Sequence, residues 1–402
     1  MNILFVHEID WKRKPVMDMH MLAETLSVMG NNVTVLSYES MWKKEEQTEY
    51  CENIDSRFLQ GSEIKLYNPK FVKVPMLSRL SAVASHYTEI PKILKENNID
   101  IIVLYSIPTN GLQILHWSKK LDVPVVFRSI DVLNKIAPIN KITGIIIKKI
   151  EQTVYRNVDK IMTLSPSLTD YINSYGVDKD KIEVVKMPVD LSVFYPNDEY
   201  NYIVREQWDI DRSDKLILFM GTLFKFSGLD TFLSQYDSIL RYIPNAKMLI
   251  VGDGIQRKEL ESYIYSLGLQ DYVKITGFLP YEQMPMYINS ADICVNPFRK
   301  EKVTNDIFPG KVTQFLACGK TLVSTNLKGM VMMINDGNGV SYINDPSDAT
   351  KRVSNLLLDS NMNIAIGFKG LQYVRNNHDT FVVGKQVENT LLGVLKKRYG
   401  KN

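Results

Sequence analysis

Lys247-Met248-Leu249-Ile250-Val251-Gly252-Asp253-Gly254 passes from an unbroken apolar run directly into a loop of glycines around one acid. An aliphatic run this short, bounded by a turn signal, reads as a strand buried on both faces, and such strands belong to parallel sheets covered by helices. The pattern recurs on both sides of it. Leu216–Met220 leads into Gly221, Val273–Thr276 into Gly277, Ile293–Asn296 into Pro297, and Thr321–Ser324 into Asn326. Each run ends at a loop of small or polar residues, and in open α/β sheets ligands bind outside that edge.

Towards the N-terminus the alternation continues. Asn2–His7 is strand-like, Asp18–Met29 has helical spacing ending at Gly30, and Asn32–Ser37 is strand-like again, which makes a βαβ unit. Ile99–Tyr105, Thr109–Leu121 and Val123–Arg128 repeat it, followed by a strand over Asp159–Leu164 and a helix over Ser167–Tyr175. Between them, Tyr38 to Ser85 has weak periodicity and the charged run Lys43–Glu46, so a loop or irregular excursion is expected there. Lys186 to Pro196 carries two prolines between helical patterns, which suits a crossing between domains.

With 402 residues the chain exceeds what one hydrophobic core serves, and two Rossmann-like α/β domains, 1–190 and 191–380, are expected to face each other across a cleft. Neither half has the glycine fingerprint of dinucleotide binding, since His7-Glu8-Ile9-Asp10-Trp11 stands after the first strand, which argues against an NAD-dependent oxidoreductase. Lys+Arg 48 against Asp+Glu 45 argues against a nucleic-acid partner held by a wide basic face. The start places an apolar run before its charges, the reverse of a secretory signal, and no run approaches the roughly 20 residues of a membrane span, so a cytoplasmic protein is expected. Cys51, Cys294 and Cys318 lack metal-ligand spacing and read as small, mostly buried hydrophobes. Asp178-Lys179-Asp180 and Asp209-Ile210-Asp211 have the spacing of a metal-holding acid pair but sit in charged, turn-like settings; no metal and no cofactor are expected.

The order of these motifs resembles the family 4 (group 1) glycosyltransferases, retaining enzymes of the GT-B fold. Val158 to Ser165 looks like the family's "aD-x-vi-x-S" strand, and Ile182 to Pro196 like its inter-domain connection, with Met187-Pro188-Val189-Asp190 where "nGvD" is usual. Leu249 to Gly254 matches "ivGdG", Val273 to Leu279 the strand and "G-f-v" turn with Phe278, and Ser290 to Ile293 "s-x-aD". Leu371 to Lys397 resembles the closing helices, so 381–402 is expected to return to the first domain. The resemblance implies sugar transfer from a nucleotide-sugar donor held mainly by the second domain to a glycan or lipid-linked acceptor on the first, with retention of configuration.

The sharpest chemical element is Asn305-Asp306-Ile307-Phe308-Pro309-Gly310-Lys311-Val312-Thr313-Gln314-Phe315-Leu316-Ala317-Cys318-Gly319. Pro309 suits a first helical turn and Gly319 a helix end. Amides at such a start, with Lys311 in the same turn and Gly310 allowing close approach, form an anion site for a donor diphosphate. In the family this helix carries two glutamates, one for the donor sugar and one for the ribose; here those positions are Asp306 and Gln314, which both accept hydrogen bonds. The family's basic pair on the first strand of this domain is replaced by Thr222 and Ser227 within Gly221-Thr222-Leu223-Phe224-Lys225-Phe226-Ser227-Gly228. Its charge must come from elsewhere, because stabilising the leaving group is usually the largest electrostatic term. Lys225 and Lys311 are the candidates, with Arg299 in reserve; solvated loop charges are the alternative for Lys225 and Arg299. The donor-binding set is thus Gly221, Thr222, Lys225, Gly252, Asp253, Gly277, Phe278, Arg299, Phe308, Pro309, Gly310 and Gln314.

On the first domain, Arg128 and Asp131 are expected to face the cleft if Phe127 ends its strand, and join Asp306 and Lys311 as catalytic candidates; a purely structural role is the alternative. His7 and Asp10 at the first strand end, with Ser106 and Asn110 at another, are expected on the acceptor side. Lys135, Lys141, Lys148, Lys149, Arg156 and Lys160 interleave with isoleucines in an amphipathic pattern. That pattern fits either core packing with a solvated basic face or peripheral contact with an anionic membrane at its inner face. A non-catalytic nucleotide-sugar-binding relative or partner subunit is the competing function, and a nucleotide-sugar epimerase of the same fold a third.

Overall fold

A computed structural model describes residues 1–14, 16–39, 43, 45, 49–75, 77–105, 107–130 and 141–400, the side chains of 141–143 apart. Ser106, Asp131 and Lys135, singled out above, lie outside the described residues, as do Ile136 of the same amphipathic pattern and the side chains of Lys141 and Ile142. The chain divides into two units, Met1–Pro188 with Thr380–Asn402, and Val189–Asp379.

In the first unit eight strands form one sheet: β1 (Asn2–Val6), β2 (Asn32–Leu36), β3 (Tyr50–Ile54), β4 (Ile64–Asn68), β5 (Ile101–Leu104), β6 (Val125–Ser129), β7 (Lys160–Thr163) and β8 (Ile182–Val184), in the order β3-β4-β2-β1-β5-β6-β7-β8. All neighbours are parallel except β3 with β4. The unbroken apolar reading of β1 has a direct cause. Leu4 and Val6 pack on one face with Ile90 and Ile114, while Ile3 and Phe5 pack on the other with Leu22 and Val387. Each side chain of this size buried completely contributes roughly 1.5–3 kcal/mol. The closing helix Thr380–Tyr399 lies in this unit, where Gly384 passes so near the Asp18–Val28 helix that a β-carbon on it would meet Thr25 Cγ2 at 2.6 Å.

The stretch from Tyr38 to Ser85 corrects the sequence expectation of an irregular excursion. It holds β3, β4 and the start of the helix Leu77–Glu96. In β4, Ile64, Leu66 and Asn68 are buried and alternate with half-buried Lys65 and Tyr67, a strand period too short to stand out beside charged neighbours. The helix was hidden because apolar residues occupy both its faces: Ala82, His86, Ile90 and Ile93 are buried, while Leu77, Leu80 and Tyr87 are exposed. Cys51 is likewise corrected. It is exposed on the edge strand β3, whereas Cys294 and Cys318 are buried.

The second unit is built on six parallel strands, β9 (Lys215–Met220), β10 (Ala246–Val251), β11 (Val273–Gly277), β12 (Ile293–Asn296), β13 (Leu322–Thr325) and β14 (Val340–Ile343), ordered β11-β10-β9-β12-β13-β14. Met248 to Val251 are at most 2% exposed, consistent with helices covering both faces of a parallel sheet.

Candidate functional site

The strand order defines where each sheet can hold a ligand. In the second unit the sequence of connections reverses between neighbours β9 and β12. Loops leaving these strands diverge and open a crevice at their carboxyl ends. Gly221 opens the loop from β9, and Pro297, Phe298 and Arg299 form the loop from β12.

Lys311 reaches into this crevice from the helix Lys311–Ala317. Gly310 is that helix's N-cap, so Pro309 stands just before it and not in the first turn as expected. The Lys311 ammonium lies 4.3 Å from the ring centroid of Phe219, on β9, and 4.3 Å from that of Phe298, beyond β12. Cations over aromatic faces are attracted by the ring quadrupole, most strongly when desolvated. The residue is only partly buried, but its ammonium nitrogen is buried and has no hydrogen-bond partner. Burial pushes its pKa down to about 7, with Cys294 opposing. This corrects the picture of a lysine charge lying among exposed helix amides: the charge sits inside, under Gly221.

The loops after β9, β10 and β11 interlock through glycines. Gly252 has φ 140°, and a β-carbon there would stand 2.0 Å from the Gly221 carbonyl, so no other residue fits without moving the backbone. Gly252 N donates to Gly277 O at 2.9 Å, and Leu223 N to Asp253 O at 3.0 Å. Phe278 is left 70% exposed at this rim. The Asp253 carboxylate accepts from Gly254 N at 2.7 Å and pairs with Arg257 at 3.0 Å, which together hold it below the usual range.

The remaining candidates of this unit are distributed around the rim. Thr222 and Lys225 are exposed. Arg299 N donates to Phe226 O at 2.8 Å, tying the two switch-point loops, while its guanidinium is engaged by Asp230 at 2.5 Å and Thr231. Asp306 and Gln314 are half-buried. Phe308 is corrected: it is 7% exposed and its ring stacks on His378 at 5.8 Å, so its face is used in packing. Asn296 and Thr325, at the ends of β12 and β13, carry buried oxygens without partners; a polar residue closing an apolar run was the signal for them.

In the first unit the order reverses between β1 and β5. His7 follows β1, stacks on Trp11 at 5.3 Å and accepts from Ile9 N through Nδ1, so the proton sits on Nε2, which is buried without a partner. Burial, then His20, pushes its pKa down to about 3. Asp10 accepts from Arg13 N through Oδ1, and its Oδ2 is buried and unpartnered. Asn110 meets His86 Nδ1 at 2.9 Å through Oδ1, leaving its Nδ2 unpartnered. Glu8 ties the two loops together by accepting from Thr109 N. His86, Thr109 and Ser129 also carry buried unpartnered polar atoms. His86 lies on the inner face of the Leu77–Glu96 helix, and with apolar residues on both faces of that helix no sequence period marks it.

Arg128 is corrected. The strand continues to Ser129, and Arg128 is fully buried. Its Nη2 pairs with Asp18 at 2.7 Å, its Nε donates to the same carboxylate, and Nη1 and Nη2 donate to the carbonyls of Val185 and Lys186. These bonds occupy the guanidinium inside the unit. Among the described residues no three His, Cys, Asp or Glu side chains come together as a metal site needs, and no helix is long and apolar enough to cross a membrane.

Residues 19–193 match the family described as Glycosyltransferase Family 4, and residues 214–359 the one described as Glycosyl transferases group 1. A 2-deoxystreptamine N-acetyl-D-glucosaminyltransferase of Niallia circulans is 27% identical over 34% of this chain and 33% of its own length. A D-inositol 3-phosphate glycosyltransferase of Segniliparus rotundus is 27% identical over 42% and 36%. The match thus spans about a third of the length of these curated relatives. Among solved structures, sucrose-phosphate synthase from Thermosynechococcus elongatus superposes with a TM-score of 0.78 at 14% identity, covering 99% of this chain and 100% of that one. Anabaena HepE in complex with UDP gives 0.74 at 15%, covering 98% and 100%. The fold is that of the GT-B glycosyltransferases, two α/β domains with parallel sheets.

Proposed function

This chain belongs to the family 4, group 1 glycosyltransferases, and we propose that it moves a sugar from a nucleotide-sugar donor to a glycan or lipid-linked acceptor, with retention of configuration and without a metal ion. The observation that carries the reading is the Lys311 ammonium, buried without a counter-charge at the switch point of the second sheet. A buried cation is costly unless something pairs with it, and strongly shifted groups in a crevice are candidates for function.

In this reading the donor diphosphate lies over Gly221, where the absence of a side chain lets it approach, and Lys311 offsets the charge that grows on the departing nucleoside diphosphate. Lys225 adds its charge from the rim. Asp306 and Gln314 accept hydrogen bonds from donor hydroxyls. The departing phosphate oxygen takes the acceptor proton from the same face, so no protein nucleophile is required. His7 Nε2–H, Asp10 Oδ2 and Asn110 Nδ2 supply two donors and an acceptor for the hydroxyls of the acceptor. The UDP in HepE supports a uridine nucleotide as the first donor class to screen.

The test is a thermal-shift screen of nucleotide sugars, in which a ligand at a hundred times its Kd stabilises a fold by about 2.7 kcal/mol. Lys311→Met should abolish the shift; an undiminished shift in that variant would sink the reading. One observation favours a second reading, a non-catalytic nucleotide-sugar-binding relative: Thr222 and buried Ser227 stand where the family's basic pair would be. Donor turnover by the purified protein separates the two. The finer membrane reading rests on the helix Lys141–Asn157, where Ile145 and Ile146 are exposed beside Lys148 and Lys149 while Val154 and Tyr155 are buried. Co-sedimentation with anionic vesicles, lost at high salt, tests it.

A further inference from the structure

We infer that the second unit carries a saccharide-binding site remote from the donor crevice, in a cavity that takes a neutral pyranose. The inference goes beyond the transferase reading by adding a second place to hold a glycan, and it depends on that reading only for what the glycan is used for.

The cavity has a volume of about 290 Å³ and lies at the amino ends of β10 and β11, where Lys247 and Lys274 are each the second residue of their strand. The donor crevice opens at the opposite, carboxyl edge of the same sheet. The six residues of β10, roughly 20 Å of extended chain, separate the two edges. Small-molecule sites occupy roughly 300–1,000 Å³, so a cavity of this size suits one small ligand.

Trp208 and Tyr272 line it and are both half-buried. Trp208 Nε1 donates to Tyr287 OH at 3.1 Å, so its polar atom is spoken for and the ring offers carbon surface. Lys247 is anchored on the Asp271 carbonyl at 2.8 Å and stands 4.9 Å from the centre of the Tyr272 ring, which holds that ring in place. Ile210 and Met248, both buried, complete the apolar lining. Aromatic walls of this kind match the C–H face of a sugar ring.

The rim matches its hydroxyls. Asp209, Asp271 and Lys274 are exposed, and their side chains make no hydrogen bond or ion pair among the described residues. Carboxylates accept and an ammonium donates, while a sugar hydroxyl does both. The signs also balance, Asp209 and Asp271 against Lys247 and Lys274. The carboxylates disfavour an anion and the ammonium groups disfavour a cation, which leaves a neutral polyol as the ligand that neither pair repels.

Asp209 provides a means of separating binding from folding. It follows the helix Glu199–Gln207 and its C-cap Trp208 with φ 51°, the left-handed position that glycine fills most readily. Glycine there relieves the backbone and removes only the carboxylate.

The experiment titrates the full chain with the methyl glycosides of glucose, galactose, mannose and N-acetylglucosamine by saturation-transfer NMR, beside glycerol, methylammonium and inorganic phosphate. At least one glycoside should bind, and glycerol, which has no ring face, should not. Asp209→Gly combined with Asp271→Ala should weaken glycoside binding about tenfold or more. Asp209→Gly alone should keep or raise the melting temperature, which a merely structural role for the acid does not produce. The donor thermal shift should persist in both variants, so failure of this site and failure of the transferase reading are told apart. The inference is overturned if no glycoside binds, or if the double variant binds as the wild type does. Loss confined to Asn110→Ala or Lys311→Met places the sugar in the transfer site and overturns it too. So does binding of methylammonium or phosphate that the double variant loses, which assigns the cavity to a charged ligand.

Discussion

The Lys311 ammonium stands 3.2 Å from the point that a β-carbon on Gly221 would occupy. Gly221 also has φ 147°, a region L side chains rarely adopt. Gly221→Ala should accordingly lower stability by about 1–3 kcal/mol, from backbone strain and from crowding of the ammonium. It should also weaken donor binding by covering the approach to Lys311. Urea denaturation and calorimetric titration with the donor measure the two effects; a variant as stable as the wild type with unchanged donor affinity contradicts the proposed geometry.

Lys311 should leave a signature in stability against pH. Its folded pKa is lowered to about 7 from an ordinary 10.5. Between those values the unfolded chain holds a proton that the fold gives up, so stability rises with pH across that window, by up to about 1.4 kcal/mol per pH unit. Lys311→Met keeps an unbranched apolar side chain between Phe219 and Phe298 and removes the titration. The rise should vanish in the variant, and below pH 7 the variant should be the more stable protein.

Donor binding should take up a proton. A diphosphate beside the ammonium favours its charged form and raises its pKa, so above pH 7 the complex holds a proton that the free protein lacks. Calorimetry at pH 8 in two buffers of different ionisation enthalpy should report uptake approaching one proton, with affinity falling as pH rises. Equal heats in the two buffers would place the diphosphate away from Lys311.

The buried pair Asp18–Arg128 should act on stability. Arg128→Met leaves the Asp18 carboxylate buried without its partner, which costs about 3–5 kcal/mol. Asp18→Asn added to Arg128→Met removes the stranded charge and should recover part of the loss, whereas a role in donor contact would leave the double variant as inactive as the single one. Chemical denaturation and donor affinity on the three variants separate the two.

Much of the second unit could be read from residue order. Strands covered on both faces are aliphatic throughout, and Gly221, Gly252 and Gly277 mark where their loops meet, so period and punctuation coincide. The first unit was harder between Tyr38 and Ser85. There Leu77, Leu80 and Tyr87 put apolar side chains on the outer face of a helix whose inner face is apolar too, and a pattern with two apolar faces has no single period to detect. For Arg128 the sequence leaves a cleft-facing and a structural role both open, because polarity at a strand end looks alike whether the side chain meets a ligand or a buried acid; the strand's continuation to Ser129 and the pairing with Asp18 select the structural one.

By itself the sequence determined the class of the fold, the succession of strands and helices, and the glycine-bearing loops, because helical and extended periods, apolar runs and turn residues are local properties of the chain. Only the tertiary structure decided that β9 adjoins β12 and β1 adjoins β5, that Lys311 reaches beneath Gly221 between Phe219 and Phe298, and that Arg128 is occupied by Asp18. Strand order and the pairing of a charge join residues far apart along the chain, and those choices are made by packing and desolvation, which no local pattern records.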